Sequence, residues 1–192
     1  MAAGETRITS ANVMFCLDTT GSMGFAIEAV KEAIVKVAEI YITARIDMTV
    51  GLIEFRDRVH SSESGDHEWD GGYPTLRMID YGDQGSFTDN INSFGNEVEQ
   101  LSAQGGGPHP ESSFDAMAHA ARESSWKEGS TKVIIHITDA SPRSPDYEIS
   151  NIQQLRDILS DSGIEQIFVV APMNVLDDFE RVLSTLGVYS PL

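Results

Sequence analysis

Four short runs of nearly unbroken apolar residues set the strongest limit on how this chain can fold. They are residues 13–17, 48–55, 133–138 and 167–171, each rich in Val, Ile or Phe. A strand with one wet face alternates polar and apolar residues, whereas a strand covered on both faces has no reason to alternate. The runs therefore predict strands in the interior of a parallel sheet. Between them the apolar period changes. Ile27, Val30, Ile34, Val37, Ala38 and Tyr41 recur at three- and four-residue steps, opposite Glu28, Lys31, Glu32 and Glu39, which predicts one long amphipathic helix. Phe114, Met117, Ala118 and Ala121 mark a second helix. Ile152, Leu155 and Leu159 mark a third, closed by Gly163 as a left-handed cap. Leu176, Phe179, Leu183 and Leu186 mark a fourth, closed by Gly187, and a further helix is expected around residues 90–101.

Strands alternating with helices predict a doubly wound α/β fold. The expected form is a mostly parallel six-stranded sheet with helices on both faces. Residues 75–81 form a weaker run with polar interruptions, expected as an antiparallel edge strand, and the polar, acidic stretch 56–74 is expected as a loop. The chain has 192 residues, no internal repeat and no compositional break, so a single domain over residues 1–192 is expected, with its core at about 12–189.

Charge narrows the function. Lys and Arg number 13 against 30 Asp and Glu, a formal net charge of -17, which disfavours nucleic acid and anionic membrane as partners. Cys16 is alone, inside the first apolar run, and is expected as a small core residue. His136 lies in the third run and is expected as a hydrogen-bonded core residue. The N-terminus shows no signal-peptide core and no stretch is long enough to span a bilayer, so the expected location is cytoplasmic.

In doubly wound sheets, ligands bind beyond the carboxyl ends of the strands. Asp18, Thr20 and Ser22 occupy alternate positions just after the first run, with Gly21 permitting a sharp bend. That spacing can turn one carboxylate and two hydroxyls toward a common centre. Asp139, just after the third run, would add a second carboxylate from across the crevice. All are hard oxygen donors, which suit Mg²⁺, Mn²⁺ or Ca²⁺. Singly, each is also an ordinary turn or capping residue. Their position after two buried strands, in this chain order, is what raises them above that. At such a rim, loss of the Asp18 carboxylate is expected to leave the fold intact.

The segment from Val13 through Asp18-Thr-Thr-Gly-Ser22-Met23 closely resembles the metal-ion-dependent adhesion site of von Willebrand factor A domains. Val50-Gly-Leu-Ile-Glu-Phe-Arg-Asp57 is similar to the second strand of that family, and Ile137-Thr-Asp139-Ala-Ser-Pro142 to its Thr-Asp-Gly segment. Phe87-Thr-Asp89, followed by a helical period and Gly105-Gly106-Gly107, fits the same order. The resemblance runs from about residue 13 to the last helix. It implies a non-enzymatic module that binds a protein partner through a divalent ion, with Thr20 and Ser22 on the ion and Asp18 and Asp139 acting directly or through water. An acidic side chain of the partner would complete the coordination. One departure stands out. Where the family places Asp or Thr after the glycine-rich loop, this chain has Pro108, which carries no donor. Pro110-Glu111 still matches the family's Pro-Glu pair, and His109, Glu111 or water are the candidates to fill the gap.

Two other readings follow from the same residues. One keeps the fold without the ion, as a purely structural interaction domain. The other is a haloacid-dehalogenase-type phosphotransferase with Asp18 as nucleophile and Asp177-Asp178 as an acidic pair. Against it, Thr20 stands where that chemistry needs a second Asp. Gly105-Gly106-Gly107 lacks the Lys-Ser/Thr of a phosphate-binding loop.

Overall fold

In a computed structural model of the protein, residues 10–43, 47–61, 66–107, 109–183 and 189–191 are described. Pro108, Leu186 and Gly187 lie outside these residues. The chain is mixed α/β, the class expected from the alternation of periods. Strands β1 (Ala11–Asp18), β2 (Met48–Phe55), β5 (Leu76–Met78), β6 (Thr131–Ile137), β7 (Gln166–Val170) and β8 (Tyr189–Pro191) form one sheet in the order β5-β2-β1-β6-β7-β8. All neighbours pair in parallel except β2 with β5, which run antiparallel at the edge.

Alternation along β1 explains its apolar continuity. Met14 and Cys16 belong to one core, with Ile53, Phe55 and helices α4 (Ser113–Glu123), α5 (Ile152–Asp161) and α6 (Met173–Leu183). Val13, Phe15 and Leu17 belong to the other, with Val50, Leu52 and helices α1 (Ile27–Thr43) and α3 (Ile91–Gln100). Neither face of the strand meets water, so neither needs polar residues. α3 and α5 start at side-chain caps: Asn90 accepts from the amides of Asn92 and Ser93, and Asn151 from that of Gln154. Gly163 follows α5 at φ +68°, the left-handed conformation expected of it.

Cys16 is buried, and burial alone pushes its thiol far above the ordinary value, so it stays a neutral core group. His136 is also fully buried. Its Nε2 lies 3.0 Å from Ser113 Oγ, and its ring stacks on Phe55. Burial lowers its pKa to about 3, which leaves it uncharged.

The acidic stretch expected as a loop holds more structure than that. It contains the short helix α2 (Arg58–Ser61) and a two-stranded ribbon of β3 (Trp69–Asp70) and β4 (Tyr73–Pro74). The ribbon is fixed by tertiary contacts that local pattern cannot show. The guanidinium of Arg56 is buried, lies over the Tyr73 ring at 5.2 Å and donates to the Pro74 carbonyl. No helix among the described residues is long and apolar enough to cross a membrane.

Candidate metal centre

The strand order reverses between β1 and β6. From β1 the chain moves outward to β2, and from β6 it moves the other way to β7. The crevice at such a reversal is where loops diverge and leave room for a ligand. Register pairs Leu17 with Ile137, so Asp18 and Thr138 leave the sheet side by side.

Asp18 is fully buried. Its Oδ1 accepts from the Thr20 amide at 2.9 Å and the Thr20 hydroxyl at 2.7 Å, and its Oδ2 accepts from the Thr138 hydroxyl at 2.6 Å. Burial pushes this carboxyl upward; the three hydrogen bonds oppose the shift without cancelling it, and the neighbouring Asp139 adds to it. The expectation that Asp18 stands at a rim is therefore corrected. It belongs to the buried end of the sheet, and truncating it would remove the acceptor shared by the Thr20 amide and the hydroxyls of Thr20 and Thr138. Thr20 is also buried, Asp139 is half-buried and Ser22 is exposed.

The four residues singled out in the sequence form one continuous chain of contacts. Thr20 Oγ1 touches Asp18, Ser22 Oγ lies 3.0 Å from Thr20 Oγ1, and Ser22 Oγ lies 2.9 Å from Asp139 Oδ1. Each hydroxyl has a single proton. With both carboxylates ionised, three contacts between two hydroxyls and two carboxylates share only two protons, so one close O···O contact contains none. Oxygens facing each other without a proton form an electron-rich pocket that a cation would relieve. Among the described residues, no three His, Cys, Asp or Glu side chains are already gathered for an ion, so the hydroxyls are an essential part of any donor set here.

The glycine loop closes one side. Gly105 and Gly106 have φ of +66° and +74°. A Cβ on Gly106 would fall 2.6 Å from Thr20 Cγ2, so the loop lies directly on the Thr20 turn and has no room for a side chain. The Gly21 amide donates to the Gly105 carbonyl at 2.9 Å, and the Gln104 amide to the Thr19 carbonyl at 3.0 Å. Arg56 anchors the loop's approach by donating to the carbonyls of Ser102 and Gln104.

The following segment brings in Glu111. Its amide donates to the Ser141 carbonyl at 3.1 Å, and the Arg143 amide donates to the Glu111 carbonyl at 2.9 Å, tying this segment to the loop that carries Asp139. The Arg143 guanidinium donates to Asp57 and to the Pro110 carbonyl. Glu111 is 1% exposed, and neither carboxyl oxygen has a hydrogen-bond partner. Burial raises its pKa to about 9, helped by the negative charges of Asp18, Asp57 and Asp139 and opposed by Arg143. Of the candidates to fill the Pro108 gap, His109 is 55% exposed, with Nδ1 4.0 Å from Glu111 Oε1. Thr138 joins the four residues expected from the sequence, where its signal is its place as the Thr of the Thr-Asp segment after the third run.

No family profile matches the chain, and no curated protein matches it in sequence. Among solved structures, proximal thread matrix protein 1 from the mussel byssus is similar, with a TM-score of 0.66 at 11% identity. The alignment covers 96% of this chain, which spans 44% of that protein's length. At this identity the likeness extends to the fold alone.

Proposed function

We propose that the chain is a von Willebrand factor A-type domain that holds a divalent ion at Asp18, Thr20, Ser22 and Asp139. Through that ion it binds an acidic side chain of a protein partner. The single observation that carries this reading is the proton shortage in the Asp18–Thr20–Ser22–Asp139 chain. A divalent ion of the hard, oxygen-seeking class, Mg²⁺ or else Mn²⁺ or Ca²⁺, would satisfy that shortage. It would supply a Lewis-acidic centre open to an incoming carboxylate.

The surroundings support a macromolecular partner over a small anion. Phe25 and Met173 are 83% and 84% exposed. They stand on the segments after β1 and β7, which flank the loop that carries Asp139. Exposed apolar side chains around a polar centre are the usual make-up of a protein-binding patch. The phosphotransferase reading is the weaker one: Asp178 accepts from Ser141 within helix α6 and is used in joining that helix to the neighbouring loop.

The test is calorimetric titration of Mn²⁺ and Mg²⁺ into wild type and Asp139→Ala, with circular dichroism as the folding control. Asp139 is the better site to change because, unlike Asp18, it is only half-buried. The expected result is micromolar to millimolar binding that weakens at least tenfold in the variant. Equal affinity in the two proteins, or no binding by either, leaves a metal-free interaction domain as the function of this fold.

A further inference from the structure

We propose that Asp70 is a positioning residue of the ion site: it latches the β3–β4 ribbon to the glycine loop and so holds that loop on Thr20. Resting on the metal-binding reading above, this role falls to a residue outside the four-residue site. The glycine loop is tethered in steps. Arg56 donates to the carbonyls of Ser102 and Gln104. The turn after β1 then binds the Gln104 amide through the Thr19 carbonyl and the Gly105 carbonyl through the Gly21 amide. The next amide, that of Gly106, donates to Asp70 Oδ2 at 2.5 Å. A Cβ on Gly105 would fall 2.5 Å from the same oxygen, so the Asp70 carboxylate lies directly against the loop backbone. Asp70 and Thr20 therefore both press on the one stretch Gly105–Gly106.

The ribbon is shaped to bring this carboxylate in. β3 and β4 have two residues each and turn at Gly71 and Gly72, whose φ of +57° and +93° suit a two-residue hairpin. A ribbon that short has little stability of its own. Asp70 pairs with Tyr73 across it, so both side chains leave from the same face. Tyr73 lies under the Arg56 guanidinium, and Asp70 meets the glycine loop that Arg56 also holds. Trp69, next along the strand, leaves from the other face and is 54% exposed. A hydrogen bond from a backbone amide to a carboxylate is among the stronger kinds. Glycines have the widest choice of backbone conformation, so two in series keep one shape only when something outside them fixes it. Residues 105–107 are all glycine, so this loop acts on the site through its position and not through side chains. Thr20 Oγ1 lies within hydrogen-bond reach of both Asp18 and Ser22, so a shift of its turn under the loop is a shift of the donor set.

A latch and a mere scaffold predict different outcomes for one pair of substitutions. Asp70→Ala removes the acceptor, whereas Asp70→Asn keeps an oxygen that can accept from the Gly106 amide. In the metal-free protein, hydrogen exchange at the Gly106 amide is expected to speed up in Asp70→Ala and to stay near wild type in Asp70→Asn. Mn²⁺ affinity, measured by calorimetry, is expected to fall roughly fivefold in Asp70→Ala, the scale for a residue that acts without touching the ligand, and to return nearly to wild type in Asp70→Asn. Circular dichroism is the folding control, and Asp70→Ser, whose shorter side chain does not reach the loop, replaces Asp70→Ala should that variant fold poorly. Unchanged Gly106 exchange in Asp70→Ala overturns the latch. Wild-type Mn²⁺ affinity in Asp70→Ala, with binding still weakened in Asp139→Ala, overturns the positioning role and leaves the four-residue site standing. An equal loss of affinity in Asp70→Ala and Asp70→Asn assigns the effect to charge and likewise overturns the latch. Absence of Mn²⁺ binding in wild type overturns both this role and the ion site.

Discussion

Two buried carboxylates four residues apart, one just before helix α4 and one in its first turn, have opposite surroundings. Asp115 accepts from Arg58 Nη1 at 3.0 Å and from the amides of Glu148 and Ile149 at 3.0 and 3.1 Å. Glu111 accepts from nothing. Burial pushes both upward, but at Asp115 the hydrogen bonds and Arg58 push back. Asp115 is thus a staple: it clamps the 146–149 loop and α2 to the first turn of α4. The Glu111 carboxyl clamps nothing. A protein keeps an unsatisfied buried acid at a cost to its own stability, and function is the common reason for such a cost.

Substitution at the staple is where the contrast should be largest. Asp115→Ala leaves Arg58, among the described residues, with the partly exposed Glu148 and Glu68 as its acidic partners and strips two backbone amides of their acceptor. We expect a loss of about 3–5 kcal/mol in urea unfolding, the scale for breaking a buried pair. A loss below about 1 kcal/mol, the ordinary surface scale, would erase the distinction between the two acids.

The second expectation uses pH. Glu111 and Asp146 are held above their ordinary values, at about 9 and about 7, chiefly by burial. The folded state keeps protons there that the unfolded chain gives up. Their stabilising contribution is complete below about pH 4 and is lost as pH rises, through the range of Asp146 and then of Glu111. The metal-free melting temperature should therefore fall by several degrees between pH 5 and pH 9. The upper half of that fall should disappear in Glu111→Gln, and a flat profile in wild type would mean that neither acid is buried as described.

Much of this was legible in the sequence, and the parts that were not share a cause. β1 and β2 are readable because burial on both faces is written into nearly every residue of the run, and β6 and β7 because Val, Ile and Phe fill them even where one face is only partly covered. β8 is three residues at the sheet's edge, too short for any period. The β3–β4 ribbon owes its shape to Arg56, eighteen residues before Pro74. In the site, Asp18, Thr20 and Ser22 are marked by spacing and Asp139 by its place after a strand. The isolation of Glu111 depends on which groups fail to reach it, and no local pattern encodes that.

The smallest expected effect concerns Asp18, which stands between the two extremes: buried, satisfied and part of the crevice. Thr138→Val removes the donor to its Oδ2 with little change of shape. A cost of about 1–2 kcal/mol is expected in denaturant, typical for a hydrogen bond to a charged group. Mn²⁺ affinity should shift severalfold at most, since Thr138 acts on Asp18 and not on the ion. A change as large as that in Asp139→Ala would make Thr138 a direct ligand.

The in-register pairing of β1 with β6 has one more consequence. Asp18 and Thr138 stand on adjacent strands, and adjacent strands in any sheet are about 4.8 Å apart. The gap across which Asp18 and the segment leading to Asp139 leave the sheet is thus a lattice spacing of the backbone, set before any loop takes its shape. Loops can then be lengthened, exchanged or redesigned between residues 140 and 151 without resizing the gauge across which the site is built. A scaffold of this kind separates what must be exact, the separation of the two acid-bearing strand ends, from what is free to vary, the surface a partner reads.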